Sequence, residues 1–169
     1  ERKGSYDLLK AIPAILKEVP DAHFYLGGDG DIDQSQKIID ENGLSAHVEL
    51  LGWVRDGEKE EYLKKCSTFI LPSYHEGMPM SVLEAMSYGL ATISTNVGGI
   101  PQIIENRANG IRIDAGDIVA INDNLVAILS NSTLRSKYGK AAYQTIRKKF
   151  NAEGNIDRMV EIYRHLIEE

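Results

Sequence analysis

Thr68-Phe69-Ile70-Leu71-Pro72-Ser73-Tyr74-His75-Glu76-Gly77-Met78-Pro79-Met80-Ser81-Val82-Leu83-Glu84-Ala85-Met86-Ser87-Tyr88-Gly89-Leu90-Ala91-Thr92-Ile93-Ser94 spells one strand–helix–strand unit with its own punctuation. Thr68–Leu71 is a short apolar run with β-branched members, stopped by Pro72, which has no N–H to give to a ladder. From Pro79 to Tyr88 the apolar residues recur at helical spacing. Pro79 stands where proline favours the first helical turn, and Gly89 closes the helix. Ala91–Ser94 is again strand-like. A strand, a crossover helix and a strand in that order imply parallel neighbours.

The same alternation extends in both directions. Upstream, Tyr6, Leu8, Leu9, Ile12, Ile15 and Leu16 fall at helical spacings, with Ser5 as the candidate cap and Pro20-Asp21 as the stop. Ala22–Leu26 reads as a strand closing on Gly27-Gly28. A helix over about Asp31–Glu41 presents Ile32, Ile38 and Ile39, a strand follows at His47–Leu51, and Asp56–Lys65 is a helix carrying Tyr62 and Leu63. Downstream come a short helix near Ile100–Glu105 and a small strand at Ile111–Ile113. From Asp117 the pattern is helical, interrupted at Asn131-Ser132 and Asn151. No internal repeat, low-complexity tract or linker divides the chain. The pattern predicts an α/β fold: an open parallel sheet with helices on both faces and a helical C-terminus. An α/β domain usually opens with a strand, so a first strand is expected before Glu1. Ligands of such sheets bind beyond the carboxyl ends of the strands, which makes the post-strand loops the places to search.

Composition bounds the function. The chain has 169 residues and 18.8 kDa, the size of one domain. With 43% hydrophobic and 26% charged residues, disordered, collagenous and disulfide-scaffold classes are excluded. The longest apolar runs, such as Leu125–Leu129, hold about five residues against the ~20 of a membrane helix, and the first residues lead into no signal-peptide core. The lone Cys66 has no internal partner, which points to a reducing, cytoplasmic compartment. A net charge of −6 and a pI near 5.3 argue against a nucleic-acid binder, while still allowing one local phosphate site.

Four loops qualify. Gly27-Gly28-Asp29-Gly30 suggests a phosphate loop, yet no Gly-Lys-Ser/Thr follows and Gly28, Gly30 and Asp33 do not complete G-x-G-x-x-G; a tight glycine turn is the alternative. Asp29, Asp31 and Asp33 lack the Gly and Glu of a Ca²⁺ loop, because Gln34 and Asp40 stand there. They read instead as acids complementing a helix dipole, and no metal ligand set emerges. Gly52-Trp53-Val54-Arg55 places Trp53 either under a nucleotide base, with Val54 backbone groups at the base edge, or in the core. In Ser73–Met80, Gly77 admits a ligand close to the backbone, and the amides of Met80, Ser81 and Val82 lack helical acceptors and make an anion site. Glu76 on the loop and Glu84 inside the helix can each hold a vicinal diol, one at either side of a pyrophosphate. The bland alternative is two surface acids. Their separation across the bend does not suggest a glycosidase pair.

Glu76-x7-Glu84, preceded by Pro72-Ser73 and followed by Ala85-Met86 and Gly89, resembles the signature of retaining family 4 (group 1) glycosyltransferases. Leu51-Gly52-Trp53-Val54, Val97-Gly98-Gly99-Ile100-Pro101-Gln102-Ile103-Ile104, Lys3-Gly4 and Asn109-Gly110-Ile111 agree in order, so the resemblance covers essentially the whole chain. It implies that residues 1–169 are the C-terminal, donor-binding half of an enzyme with two Rossmann-like domains (the GT-B fold), the acceptor domain being absent. The implied donor is a nucleotide-diphosphate sugar, used with retention and without a metal or other cofactor. The implied acceptor is a glycan or lipid-linked sugar, in polysaccharide or glycolipid synthesis. By the same resemblance, Glu76 is the catalytic carboxylate near the reacting carbon, Glu84 holds the ribose and Lys3 binds the diphosphate. Gly77, Met78, Pro79, Met80, Ser81, Val82 and Val54 complete the donor-binding set. The family's diphosphate arginine lies on the first strand, and Arg2 is too close to Lys3 to replace it. Gln102 stands where an acid is common.

Other features are less specific. His75 is a turn histidine or a catalytic neighbour of Glu76. Arg135, Lys137, Lys140, Arg147, Lys148 and Lys149 make the late helices basic, either as a solvated face or for peripheral contact with an anionic membrane. Ile156, Met159, Val160, Tyr163, Leu166 and Ile167 form an apolar stripe that the resemblance directs toward a partner domain. Two rival functions remain in view: a GT-B sugar-nucleotide epimerase, and a non-catalytic receiver- or flavodoxin-like interaction domain. For the latter, Asp29 lacks the paired acids and distal lysine.

Overall fold

The computed structural model describes residues 2–168. The elements run α1 (Ser5–Glu18), β1 (Phe24–Gly27), α2 (Ile32–Glu41), β2 (Val48–Gly52), α3 (Asp56–Lys65), β3 (Thr68–Leu71), α4 (Met80–Ser87), β4 (Ala91–Thr95), α5 (Ile100–Ile103), β5 (Ile111–Ile113), α6 (Ile118–Ser130), α7 (Ser132–Lys149) and α8 (Ala152–Glu168). Every strand pairing is parallel. β1 pairs with β2, and β3, β4 and β5 form a second hydrogen-bonded group in that order.

The α/β expectation holds, with helices on both faces. Alternation along the strands splits their side chains between two cores. Ile70, Ala91, Ile93, Ile111 and Ile113 join α1 and α6 in one cluster. Phe69 and Leu71 turn the other way and meet Val82, Met86, Ile100 and Ala142 of α4, α5 and α7. β4 is buried along its whole length, as a covered parallel strand should be. Its polar members are tolerated there because each hydroxyl donates to a carbonyl: Thr92 to Leu90, Ser94 to Leu71 and Thr95 to Ser73.

Some boundaries differ from expectation for local reasons. Ser5 does not cap α1. Gly4 occupies the N-cap with φ 69°, and no side chain caps the helix. A β-carbon at Gly4 would run into the Pro72 carbonyl, so the chain entering α1 lies against the end of β3. The Tyr74 N–H also donates to the Arg2 carbonyl. Pro79 is the N-cap of α4, in extended conformation (φ −73°, ψ 111°), and not a member of its first turn. α5 stops at Ile103, where Asn109 takes over its end: Oδ1 accepts from the Glu105 N–H while Nδ2 donates to the Ile103 carbonyl and Thr145 Oγ1.

The late basic residues do not form one surface. Lys137, Lys140, Arg147, Lys148 and Lys149 are exposed, but Arg135 is half-buried and donates to the Ile128 and Leu129 carbonyls at the end of α6. The apolar stripe of α8 is exposed throughout. Among the described residues, no helix is long and apolar enough to cross a membrane.

Candidate functional site

The site is built where β3 and β4 end. The loop after β3 is fixed from two sides. On one, the Tyr74 hydroxyl donates to Asp7 Oδ2 of α1 at 2.8 Å and stands over Gly116 before α6. That hydrogen bond holds the Tyr74 phenol above the ordinary tyrosine range, with burial and the Asp7 charge adding to it. On the other side, the loop after β4 lies directly on the first. The Gly99 N–H donates to the Gly77 carbonyl at 2.7 Å. Gly98, with φ 54°, leaves no room for a β-carbon beside the Glu76 carbonyl.

Within that frame, Glu76 is presented with its side chain only 7% exposed, and Lys3 Nζ donates to its Oε1 at 2.7 Å while remaining 49% exposed. Two residues singled out 73 positions apart are therefore in direct contact. Gly77 needs no glycine for backbone reasons, since its φ is not positive, and a β-carbon there would meet no protein atom within 4 Å. The space over it is open, which is the property the sequence argument required of it.

The α4 terminus is close to expectation, with one correction. No side chain caps it and its first turn carries no acid. The Met80 and Ser81 amides, as the first two of the helix, have no helical acceptor. Val82 is not a third donor. Its N–H donates to the Pro79 carbonyl at 3.2 Å, an i→i−3 bond that tightens the first turn, and its side chain is fully buried in the core. Pro79 is buried as well, whereas Met78 and Met80 are exposed.

Glu84 projects from the second turn of α4 with a third of its side chain exposed, and its Oε1 accepts from Lys59 Nζ of α3 at 2.9 Å. Sequence reasoning missed Lys59. Nothing in the spacing of two residues 25 apart on different helices signals the pair. Val54 packs on Gly27, whose β-carbon would lie 3.2 Å from Val54 Cγ2, so the loop after β2 lies against the end of β1. Trp53 is 70% exposed, which removes its core alternative.

The rival glycine loop is used by the fold. Gly28 takes φ 140° and its N–H donates to the Gly52 carbonyl, while Asp31 caps α2 by accepting from the Gln34 N–H. Among the described residues, no three His, Cys, Asp or Glu side chains are grouped so as to hold a metal ion.

The sequence model of the family described as glycosyl transferases group 1 matches residues 1–145. The chain belongs to that family. The group 1 assignment sets aside the receiver-like alternative. It also agrees with individual relatives. An Escherichia coli UDP-Gal:alpha-D-GlcNAc-diphosphoundecaprenol alpha-1,3-galactosyltransferase is 31% identical over 147 residues, covering 86% of this chain and 37% of that protein. The C-terminal domain of a group 1 glycosyl transferase from Francisella tularensis (LpcC) superposes with a TM-score of 0.81 at 25% identity, covering 89% of this chain and 81% of that one. Anabaena Alr3699/HepE, solved with UDP and glucose, shares the fold at a TM-score of 0.87 and 18% identity, over 97% of this chain and 45% of that one. The chain spans less than half the length of the curated group 1 relatives it matches.

Proposed function

We propose that residues 1–169 are the donor-binding half of a retaining group 1 glycosyltransferase, which binds a nucleotide-diphosphate sugar and works with an acceptor domain elsewhere in the protein. The single observation that carries this reading is the Lys3–Glu76 pair on the loop that leads into the uncapped, acid-free start of α4. A cation and two free amides are matched to a diphosphate, and a sheltered carboxylate next to them is matched to hydroxyls of the transferred sugar. The reading assigns Glu84, further along the same helix, to the ribose, and Val54 and Trp53 to the base.

Chemically, Lys3 and the Met80 and Ser81 amides oppose the charge that grows on the diphosphate as its bond to the anomeric carbon breaks. This is stabilisation by preorganised donors, and the reading assigns that role to no metal ion. Glu76 orients the sugar so that the acceptor adds on the face the diphosphate leaves. The Escherichia coli relative's name specifies a UDP-sugar and a lipid-linked acceptor, which supports a glycan or lipid-linked acceptor here too. Action at the cytoplasmic membrane face, in polysaccharide or glycolipid synthesis, is part of the same proposal.

The test is calorimetry of UDP and UDP-hexoses with the chain and two variants. Glu84→Ala weakens both ligands, by about ten- to hundredfold for a lost charge-assisted hydrogen bond. Glu76→Ala leaves UDP affinity within about threefold and removes the preference among hexoses. Loss of UDP binding in Glu76→Ala, with Glu84→Ala behaving as wild type, would reverse the assignment.

A further inference from the structure

Four ion pairs among the described residues fall into two kinds. Lys37–Glu41 and Lys64–Glu60 join residues four apart on one helix with both partners more than half exposed, as solvated surface pairs do. Lys3–Glu76 and Lys59–Glu84 instead join separate elements, and each gives a lysine to one of the two carboxylates of the candidate site. Lys59 reaches from α3 across to α4 and bonds Oε1 of Glu84, with about a third of each side chain exposed. A single half-exposed pair adds little to stability, and its clearest effect is on where the Glu84 carboxylate sits. Glu84 lies four residues, or about 6 Å of helix rise, from the Met80 amide. That is the span from a phosphate at the helix start to the sugar beside it.

We propose that Lys59 is a positioning residue for the ribose. By holding Oε1, it fixes the rotamer of Glu84 and turns Oε2 and the remaining Oε1 lone pair toward a vicinal diol. A glutamate on an exposed helix face samples several rotamers, and a diol that must accept one specific carboxylate orientation binds more tightly when that orientation is already selected. The ammonium could also donate directly to a hydroxyl oxygen, and the double variant below separates that from an action through Glu84. This inference rests on the donor-binding reading and adds a residue, on α3, to it.

The experiment titrates UDP and 2′,3′-dideoxy-UDP into the chain and its Lys59→Met, Lys59→Arg, Glu84→Gln and Lys59→Met/Glu84→Gln variants. Lys59→Met is expected to weaken UDP by about three- to tenfold, Lys59→Arg to recover most of that, and the double variant to be no weaker than Glu84→Gln alone. The dideoxy ligand, lacking the diol, should respond less than about twofold to Lys59→Met. Equal losses for both ligands would mean that Lys59 acts through bulk charge or the fold, and would overturn the proposal. So would tighter UDP binding in Lys59→Met, which would make the lysine a competitor for the carboxylate. If UDP binding depends on Glu84 but not on Lys59, only this proposal fails. If wild-type chain does not bind UDP, or Glu84→Gln changes nothing, the donor-binding reading fails and takes the proposal with it.

Discussion

Two glycines 21 positions apart should respond in opposite ways to the same added methyl group. At Gly98 an alanine must adopt φ 54° and place its β-carbon against the Glu76 carbonyl, a backbone atom that no rotamer change can move away. The left-handed conformation costs about 1–2 kcal/mol. Displacing the two loops breaks the Gly99 N–H to Gly77 carbonyl bond, about 0.5–1.5 kcal/mol more. Gly98→Ala should therefore lower the unfolding free energy by about 2–3 kcal/mol. With a urea slope of roughly 2 kcal/mol/M, that is a fall of about 1 M or more in the denaturation midpoint followed by circular dichroism. At Gly77 the φ is ordinary and the β-carbon would meet nothing within 4 Å. Gly77→Ala should leave the midpoint unchanged or slightly raised, since it restricts the unfolded chain, yet weaken UDP in calorimetry by about tenfold as the methyl fills the approach to the helix start. The reasoning fails if Gly98→Ala unfolds at the wild-type urea concentration. It also fails if Gly77→Ala binds UDP as the wild type does, for then the glycine serves no ligand.

Tyr74→Phe leaves Asp7, itself nearly buried, without its hydroxyl donor, and should lower stability by about 1–3 kcal/mol; a double-mutant cycle with Asp7→Ala in urea should return most of this as coupling between the two residues. Burial pushes the Cys66 thiol up, so less of it is thiolate in the folded chain at pH 8. A thiol reagent should accordingly modify native protein at least about tenfold more slowly than urea-unfolded protein, and equal rates would refute the burial argument.

The local elements were legible because each carries its own punctuation. Thr68–Leu71 ends at a proline, and β3 and α3 occupy the residues their patterns predicted. The one misplacement with a chemical consequence is Pro79. A proline at the N-cap and one at the first helical position have nearly the same φ, and the sequence does not report ψ. The Pro79 carbonyl is then the first acceptor of α4, and the i→i−3 bond it takes from the Val82 N–H leaves Met80 and Ser81 as the amide set. What could not be read are the contacts between elements. Lys59 with Glu84, Tyr74 with Asp7, and Arg135 with the end of α6 all join residues whose spacing fits no single helix or strand. Gly98 was legible as part of a motif, but its reason, the Glu76 carbonyl lying where a β-carbon would be, exists only once two loops are folded together.

The same logic decides between the two loops that compete for an anion. α2 and α4 both follow a strand and a glycine-bearing loop, and both have a helix dipole. At α2 the fold has already satisfied the terminus: Asp31 accepts from the Gln34 N–H, Gly28 gives its N–H to Gly52, and Asp33 adds a second acid in the first turn. An anion there would displace a cap and face carboxylates at short range, and a dipole attraction of about 0.3–1 kcal/mol per charge is too small to offset them. At α4 a proline at the N-cap has no side-chain acceptor to offer, so the helix forgoes a cap that is worth about 1 kcal/mol. The protein leaves that terminus uncapped while pairing Glu76, on the loop that leads into it, with Lys3, and Glu84, one turn further along, with Lys59. A helix start that lacks its cap and is ringed by neutralised acids is stabilised by whatever anion occupies it, and the phosphate groups of the proposed donor supply the acceptors that Pro79 cannot.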